Sequence, residues 1–284
     1  MGNPPTIAII GPGVMGEAVI SGLLKQGVTT AERILAAGPE LDRGEQLVQR
    51  YGIQSLSDNV AAVEQADVVV LSVKPQLLNK VLEGLKGKIP GKAVVISVVA
   101  GAPIQKVSDG LAHPCVVRVM PNTPAQIGMG ISVWIASPSV SPEQIELARC
   151  ILKALGKEVF VEEESYLDMA TALSGSGPAY VFLFLEALID SGVHLGFPRR
   201  IAEQLVLETL RGSVEYYDQK KNHPAALRNE VTSPGGTSAA ALYYLEKAGL
   251  RTAISRAIWA AYERSQELGH DKSGRPPERN GNRD

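Results

Sequence analysis

The stretch Thr6-Ile7-Ala8-Ile9-Ile10-Gly11-Pro12-Gly13-Val14-Met15-Gly16 decides how this chain is read. A β-branched apolar run gives way to G-x-G-x-x-G, and Val14 to Lys25 then continues at helical spacing. A strand, a glycine turn and a helix in this order make a place where a dinucleotide pyrophosphate fits. The first glycine permits the tight turn, the second lets phosphates approach the backbone, and the third allows the helix to pack on the strand. The helix N-terminus, with its unpaired amides, favours the negative charge.

Outward from that point the same alternation repeats. Further strands are predicted at Ile34 to Ala37, Val68 to Val73, Ala93 to Val98, Cys115 to Met120, Ile131 to Ala136 and Glu158 to Val161. Helices are predicted at Leu41 to Arg50, Val60 to Gln65, Leu77 to Leu85 and Pro142 to Leu155. Short β-branched runs separated by amphipathic helices predict a doubly wound, mostly parallel α/β sheet. After Glu164 the strand signal stops, and helices are predicted at Tyr166 to Ala172, Pro178 to Ser191, Pro198 to Tyr217, His223 to Glu230, Ser238 to Ala248 and Leu250 to Leu268. The sequence thus divides into a Rossmann-type domain at 1–164, an all-helical domain at 165–269 and a Gly-, Pro- and Arg-rich tail at 270–284 that is read as disordered. Val181, Phe184, Leu185 and Leu188 form so broad an apolar face that a partner chain is expected to cover it.

With 284 residues and 45% hydrophobic content, the chain is long enough for two domains. Its 28 basic and 30 acidic residues nearly balance, which leaves no electrostatic footprint for nucleic acid or an anionic membrane. Cys115 and Cys150 both sit in apolar patterns and are expected to be buried free thiols of a reducing compartment, so a cytoplasmic location is expected. Met1 to Pro5 does not resemble a signal peptide, and no apolar run reaches the roughly 20 residues that span a bilayer, so no transmembrane segment is expected. His113, His194, His223 and His270 have no metal-ligand spacing, and no metal is expected.

At the end of the second strand, where an NAD-preferring site carries an acidic residue for the ribose, this chain has Ala36-Ala37-Gly38. Glu40 and Arg43 lie further on, so a 2′-phosphate is tolerated without being clearly clamped. NADPH is the expected cofactor, with NADH as a second donor. Val73-Lys74-Pro75 and Met120-Pro121-Asn122-Thr123-Pro124 follow two other strands, and their carboxyl ends are where the nicotinamide half would lie. As plain proline-stiffened turns they would need no ligand.

Two polar, glycine-rich clusters interrupt the helical half: Leu173-Ser174-Gly175-Ser176-Gly177-Pro178-Ala179-Tyr180 and Ser233-Pro234-Gly235-Gly236-Thr237-Ser238. The second sets amides and hydroxyls at a helix N-terminus, a ready site for a carboxylate, although Ser and Thr also serve there as ordinary caps. Together with the earlier motifs, in this order, the two clusters resemble the pyrroline-5-carboxylate reductases over residues 6 to about 268. The resemblance implies an N-terminal Rossmann domain and a helical dimerisation domain. It also implies a homodimer or a higher homo-oligomer such as a decamer, and NAD(P)H-dependent reduction of 1-pyrroline-5-carboxylate to L-proline.

Carried onto this chain, the resemblance puts Gly11, Gly13, Val14, Met15 and Gly16 at the pyrophosphate and Gly38 and Asn59 near the adenosine 2′-phosphate. Val73, Lys74, Pro75, Asn122 and Pro178 fall at the nicotinamide end. Ser233, Gly235, Gly236, Thr237 and Ser238 bind the substrate carboxylate, and Ser238 is also the catalytic hydrogen-bond donor to the imine nitrogen. Relatives usually have threonine at the last of these positions and often serine at Gly38, so one hydroxyl loses its methyl neighbour and another is absent. The alternatives are a related imine or 2-hydroxyacid reductase, and a non-catalytic dinucleotide sensor. The former lacks its expected lysine near Ser174 to Tyr180, and the latter would not be expected to retain an intact Ser233 to Ser238 loop.

Overall fold

The structure is a computed structural model that describes residues 3–270. Eight strands form one sheet: β1 (Ile7–Ile10), β2 (Ile34–Ala37), β3 (Gln54–Leu56), β4 (Val68–Leu71), β5 (Val94–Ser97), β6 (Val116–Met120), β7 (Gly130–Ala136) and β8 (Gly156–Phe160). Their spatial order is β3-β2-β1-β4-β5-β6-β7-β8. Every neighbouring pair is parallel except β6 with β7. Ile7 lies opposite Ile34 on one side and Val68 on the other, so the chain departs from β1 in one direction and returns beyond it in the opposite one. That reversal opens a crevice at the carboxyl ends of β1, β2 and β4.

Six helices cover this part of the sheet: α1 (Val14–Lys25), α2 (Leu41–Tyr51), α3 (Asn59–Val63), α4 (Pro75–Leu85), α5 (Ile104–Leu111) and α6 (Pro142–Lys153). Burial on both faces explains the unbroken apolar runs. Ile7 and Ile9 point into one cluster with Ile20, Val70, Ile96 and Trp134, while Ala8 and Ile10 point into another with Val69, Leu71 and Leu78. Each such branched side chain taken out of water contributes about 1.5–3 kcal/mol.

The parallel strands and the first helices match the sequence reading, and three local features were missed. β3 is a polar edge strand with no apolar run to betray it. α5 carries Gly110 within its length, where Leu82 packs so closely that a Cβ would lie 2.8 Å from its Cδ1. β8 begins at Gly156, with φ +137°, because an added Cβ there would stand 2.2 Å from the Gly130 carbonyl oxygen.

The remaining helices are α7 (Tyr166–Ala170), α8 (Gly177–His194), α9 (Arg199–Lys220), α10 (Pro224–Glu230), α11 (Thr237–Lys247) and α12 (Leu250–His270). Between α7 and α8, Thr171–Gly175 forms a π-helical turn, so the first glycine-rich cluster continues the helix instead of interrupting it. Gly175 lies against the tip of Met120, whose Cε would stand 2.4 Å from an added Cβ. By contacts the chain divides into two compact units, one running to Ser176 and resuming at Ala261, the other Gly177–Ala260. The sequence division at 164 and 165 marks instead where strand signal ends. The expected tail lies, from residue 271, outside the described residues; His270 itself ends α12.

Two expectations need correction. Cys115 is buried, but Cys150 is exposed, because the inward stripe of α6 is Ala148, Ile151 and Leu152 and Cys150 lies off it. The helical stretch Tyr166–His194 has mean hydropathy 1.4 over its most apolar window, long and apolar enough to cross a membrane by length and composition. Scattered polar residues such as Asp168, Ser174, Glu186 and Asp190 hid this from a search for uninterrupted runs.

Candidate active site

A cavity of about 770 Å³ opens at the reversal point of the sheet. Gly11, Gly13, Val14, Gly38, Asn59, Val73 and Lys74, all singled out from the sequence, line it. Met15 and Gly16 sit on the first turn of α1 without lining it, Pro75 starts α4 next to Lys74, and Asn122 and Pro178 lie elsewhere.

The three motif glycines act differently. Gly11 has φ +80°, and a Cβ on it would strike Val73 Cγ1 at 2.4 Å. A Cβ on Gly16 would lie 2.9 Å from Ser72 Oγ and 3.1 Å from Ile9 Cγ2, so its absence permits the close packing of α1 on β1. Beyond Gly13 a Cβ would meet nothing within 4 Å, so that backbone faces open space. The turn is held from behind: Ser72 Oγ donates to the Gly11 carbonyl at 2.8 Å, and Gly11 N–H donates to Ala37 O at 2.9 Å. No side chain caps α1, whose first amides are therefore left for an anion.

Also on the cavity wall, Asp58 caps α3 by accepting from Val60 N–H at 2.9 Å. The neighbouring Asn59 Oδ1 is a buried acceptor with no hydrogen-bond partner. Such an atom is costly unless a ligand donor satisfies it. Leu77 and Val81, one turn apart on α4, supply an apolar wall suited to a flat ring. An uncapped helix, an open glycine backbone, an apolar wall and an orphaned acceptor fit a bound dinucleotide.

Sequence reasoning named Arg43 and Glu40 but missed Glu17 and the cluster around it. Glu17 on α1 accepts hydrogen bonds from Arg43, from Arg50 Nη1 at 2.8 Å and from Tyr51 OH at 2.9 Å. Burial alone would raise the Glu17 carboxyl, but the bonds from Arg43 and Tyr51 and the two arginine charges outweigh it and hold it below its ordinary 4.5. Burial, and then Glu17, push the Tyr51 phenol up. Glu17, one turn into a helix that opens on a nucleotide motif, was the available signal.

The second cluster lies in the other unit. Gly235 has φ +74°, and Gly236 N–H donates to Ser233 O at 3.0 Å, closing a tight turn at the start of α11. A Cβ on Gly236 would lie 2.7 Å from Ser233 Oγ. No side chain caps α11, so its first amides and the half-buried Ser238 stand at an open, positive helix end. Asn122, by contrast, uses its side-chain oxygen to accept from Ile131 N–H at 3.0 Å. Among the described residues no three His, Cys, Asp or Glu side chains are grouped to hold a metal ion.

The sheet with its cavity at the reversal point defines a Rossmann-type dinucleotide-binding protein. Residues 6–101 match a family of F420-dependent NADP oxidoreductases, and residues 164–268 match the pyrroline-5-carboxylate reductase dimerisation family. The chain is 42% identical to a pyrroline-5-carboxylate reductase of Synechocystis, over 93% of this chain and 98% of that protein. It is 41% identical to one from Corynebacterium melassecola, with the same coverage. A crystal structure of the Plasmodium falciparum pyrroline carboxylate reductase with NADP bound superposes with a TM-score of 0.87 at 31% identity, covering 94% of this chain and 100% of that one. The chain belongs to the pyrroline-5-carboxylate reductase family.

Proposed function

We propose that this chain reduces 1-pyrroline-5-carboxylate to L-proline, the last step of proline biosynthesis, with NADPH as preferred reductant and NADH as second donor. The observation that carries the reading is full-length family membership in a chain whose two glycine turns both lead into uncapped helices.

Gly11, Gly13, Val14, Met15 and Gly16 hold the pyrophosphate on the amides of α1. Gly38 and Asn59 border the adenosine ribose, and Val73, Lys74, Pro75, Asn122 and Pro178 border the nicotinamide, which supplies a hydride when bound. Ser233 and the amides of Gly235, Thr237 and Ser238 hold the substrate carboxylate at the positive end of α11, in a turn that the Gly236 N–H closes onto Ser233 O. The Ser238 hydroxyl donates a hydrogen bond to the lone pair of the imine nitrogen and passes it the proton that this nitrogen takes up as its carbon accepts hydride, solvent restoring the proton on the serine. Rate acceleration then comes from positioning and from charge stabilisation at that nitrogen, with no covalent intermediate.

The working division is a nucleotide domain at 1–164 and a helical dimerisation and substrate domain at 165–269. The unit Gly177–Ala260 has Ala202 as its only buried hydrophobic residue among those described, while Val181, Phe184 and Leu188 are exposed. Helices in that state need a covering surface, and a second copy of the chain supplies it. A homodimer, itself associating into a higher oligomer such as a decamer, accounts for the apolar face of α8 better than a bilayer does, since Glu186 and Asp190 lie within that helix. A cytoplasmic enzyme is the matching location.

The test is consumption of NADPH by the purified chain with 1-pyrroline-5-carboxylate, with proline identified as product. Turnover with 2-hydroxyacids instead would favour the dehydrogenase alternative. Dinucleotide binding without any turnover would favour the sensor.

A further inference from the structure

In the sheet, β5 lies between β4 and β6, and the three run parallel. The segment 98–103 that leaves β5 therefore stands between the strand ends that carry Lys74 and Asn122. Its start is tied down, because Val98 N–H donates to the Leu71 carbonyl at 3.0 Å. Its far end is tied as well: Ile104, the first residue of α5, donates its N–H to Glu164 Oε1 at 2.7 Å. Between these points Gly101 has φ +68°, and glycine is the residue with most conformational freedom to lose. What meets it is the end of α12, since an added Cβ would lie 2.9 Å from Leu268 Cβ and 3.3 Å from the Gly269 nitrogen.

One buried guanidinium joins these pieces. Arg118 Nη1 donates to Glu164 Oε1 at 2.9 Å, and Nη2 donates to Asp168 Oδ1 at 3.2 Å. The same Asp168 oxygen accepts from Ser265 Oγ of α12 at 2.8 Å, and Ser265, like Arg118, is buried. The rigid fork thus sets the spacing of two carboxylates, one holding the start of α5 and the other the end of α12. The chain re-enters the first compact unit at Ala261, so all of these groups belong to that unit.

We propose that the last turns of α12 act as a strap on the segment 98–103, with Ser265 and Leu268 as positioning residues that fix it for hydride transfer. The proposal rests on the reductase reading. Neither residue lines the cavity, so any effect on the reaction passes through the segment they hold. Small displacements of a reacting group cost much rate, which gives a distant strap its leverage.

Ser265→Ala removes the hydroxyl and leaves the Arg118 ion pairs; Leu268→Gly opens the contact on Gly101 and leaves the whole cluster. In the full-length chain without ligand, amide hydrogen exchange at 98–103 should quicken at least about fivefold in both variants, with 11–16 unchanged. Turnover of 1-pyrroline-5-carboxylate should fall roughly 10-fold in both. The primary isotope effect with NADPH deuterated at the transferred C4 position should rise. Calorimetry with adenosine 2′,5′-bisphosphate, which has no nicotinamide half, should give affinities within about twofold of the wild type.

Unchanged turnover or unchanged exchange at 98–103 in either variant overturns the proposal. So does a loss of turnover matched by an equal loss of bisphosphate affinity, because the whole nucleotide domain would then have loosened. A wild type that binds the bisphosphate and fails to reduce the imine overturns the reductase reading, and the proposal with it.

Discussion

Two helices in this chain start from a glycine turn with no side-chain cap, α1 after Gly13 and α11 after Gly236, yet their surroundings are opposite. α1 packs its own Val19 and Ile20 into one cluster with Ile9 and Val70 of the sheet, all essentially excluded from solvent. Behind α11 stands a unit in which α8, α10 and α11 bury no residue fully. The same local device is therefore rigid by its own core in one place and dependent on a covering surface in the other. A preorganised turn binds without reorganising, and an uncovered one first has to be fixed.

That contrast is broken most sharply by charging the uncovered face. Val181→Asp combined with Leu188→Asp puts two carboxylates where a second copy would bury them, and buried unpaired charge is costly. Sedimentation should show monomers, and activity at micromolar chain should fall roughly 100-fold or more, while adenosine nucleotides still bind the α1 cavity. Retained dimers with full activity would remove the argument for a partner on this face.

A smaller loss is expected from Ser238→Ala, which leaves both units folded. Turnover should drop roughly 10- to 1000-fold with little change in NADPH affinity, because the bond matters most when charge develops on the substrate nitrogen. Ser238→Thr should keep activity. If Ser238→Ala turns over at the wild-type rate, another donor polarises the imine.

The smallest effect belongs to the rim of the first site. The Glu17 carboxyl is held below 4.5 in the folded chain, so its contribution to stability is complete above the unfolded value and is lost as pH falls through the folded one. Glu17→Gln should cost about 1–2 kcal/mol near neutrality. The gap between the two denaturation curves should narrow as pH drops from roughly 6 to 3. A gap that widens on acidification would mean that the ion pairs of Glu17 do not favour the fold.

The glycine motif, the alternation of strands and helices, and the Ser233 to Ser238 cluster were legible because each is a local pattern: period, turn chemistry and a helix start lie within a few residues of one another. β3 was not, since Gln54–Leu56 is a strand only because β2 offers it an edge to pair with. Gly110 and Gly156 likewise look like helix and strand breakers until Leu82 and Gly130 are seen to press against them.

At the site, the sequence by itself determined the turn at Gly11 to Gly16 and the lack of an acid at Ala36-Ala37-Gly38. Tertiary structure alone decided that Glu17, Arg43 and Tyr51 meet, and that Asn59 keeps a buried oxygen without a partner. The reason is reach. Neighbours along the chain fix dihedral angles and caps, whereas Arg43 and Glu17, 26 residues apart, find each other only after α1 and α2 have packed on the same side of the sheet.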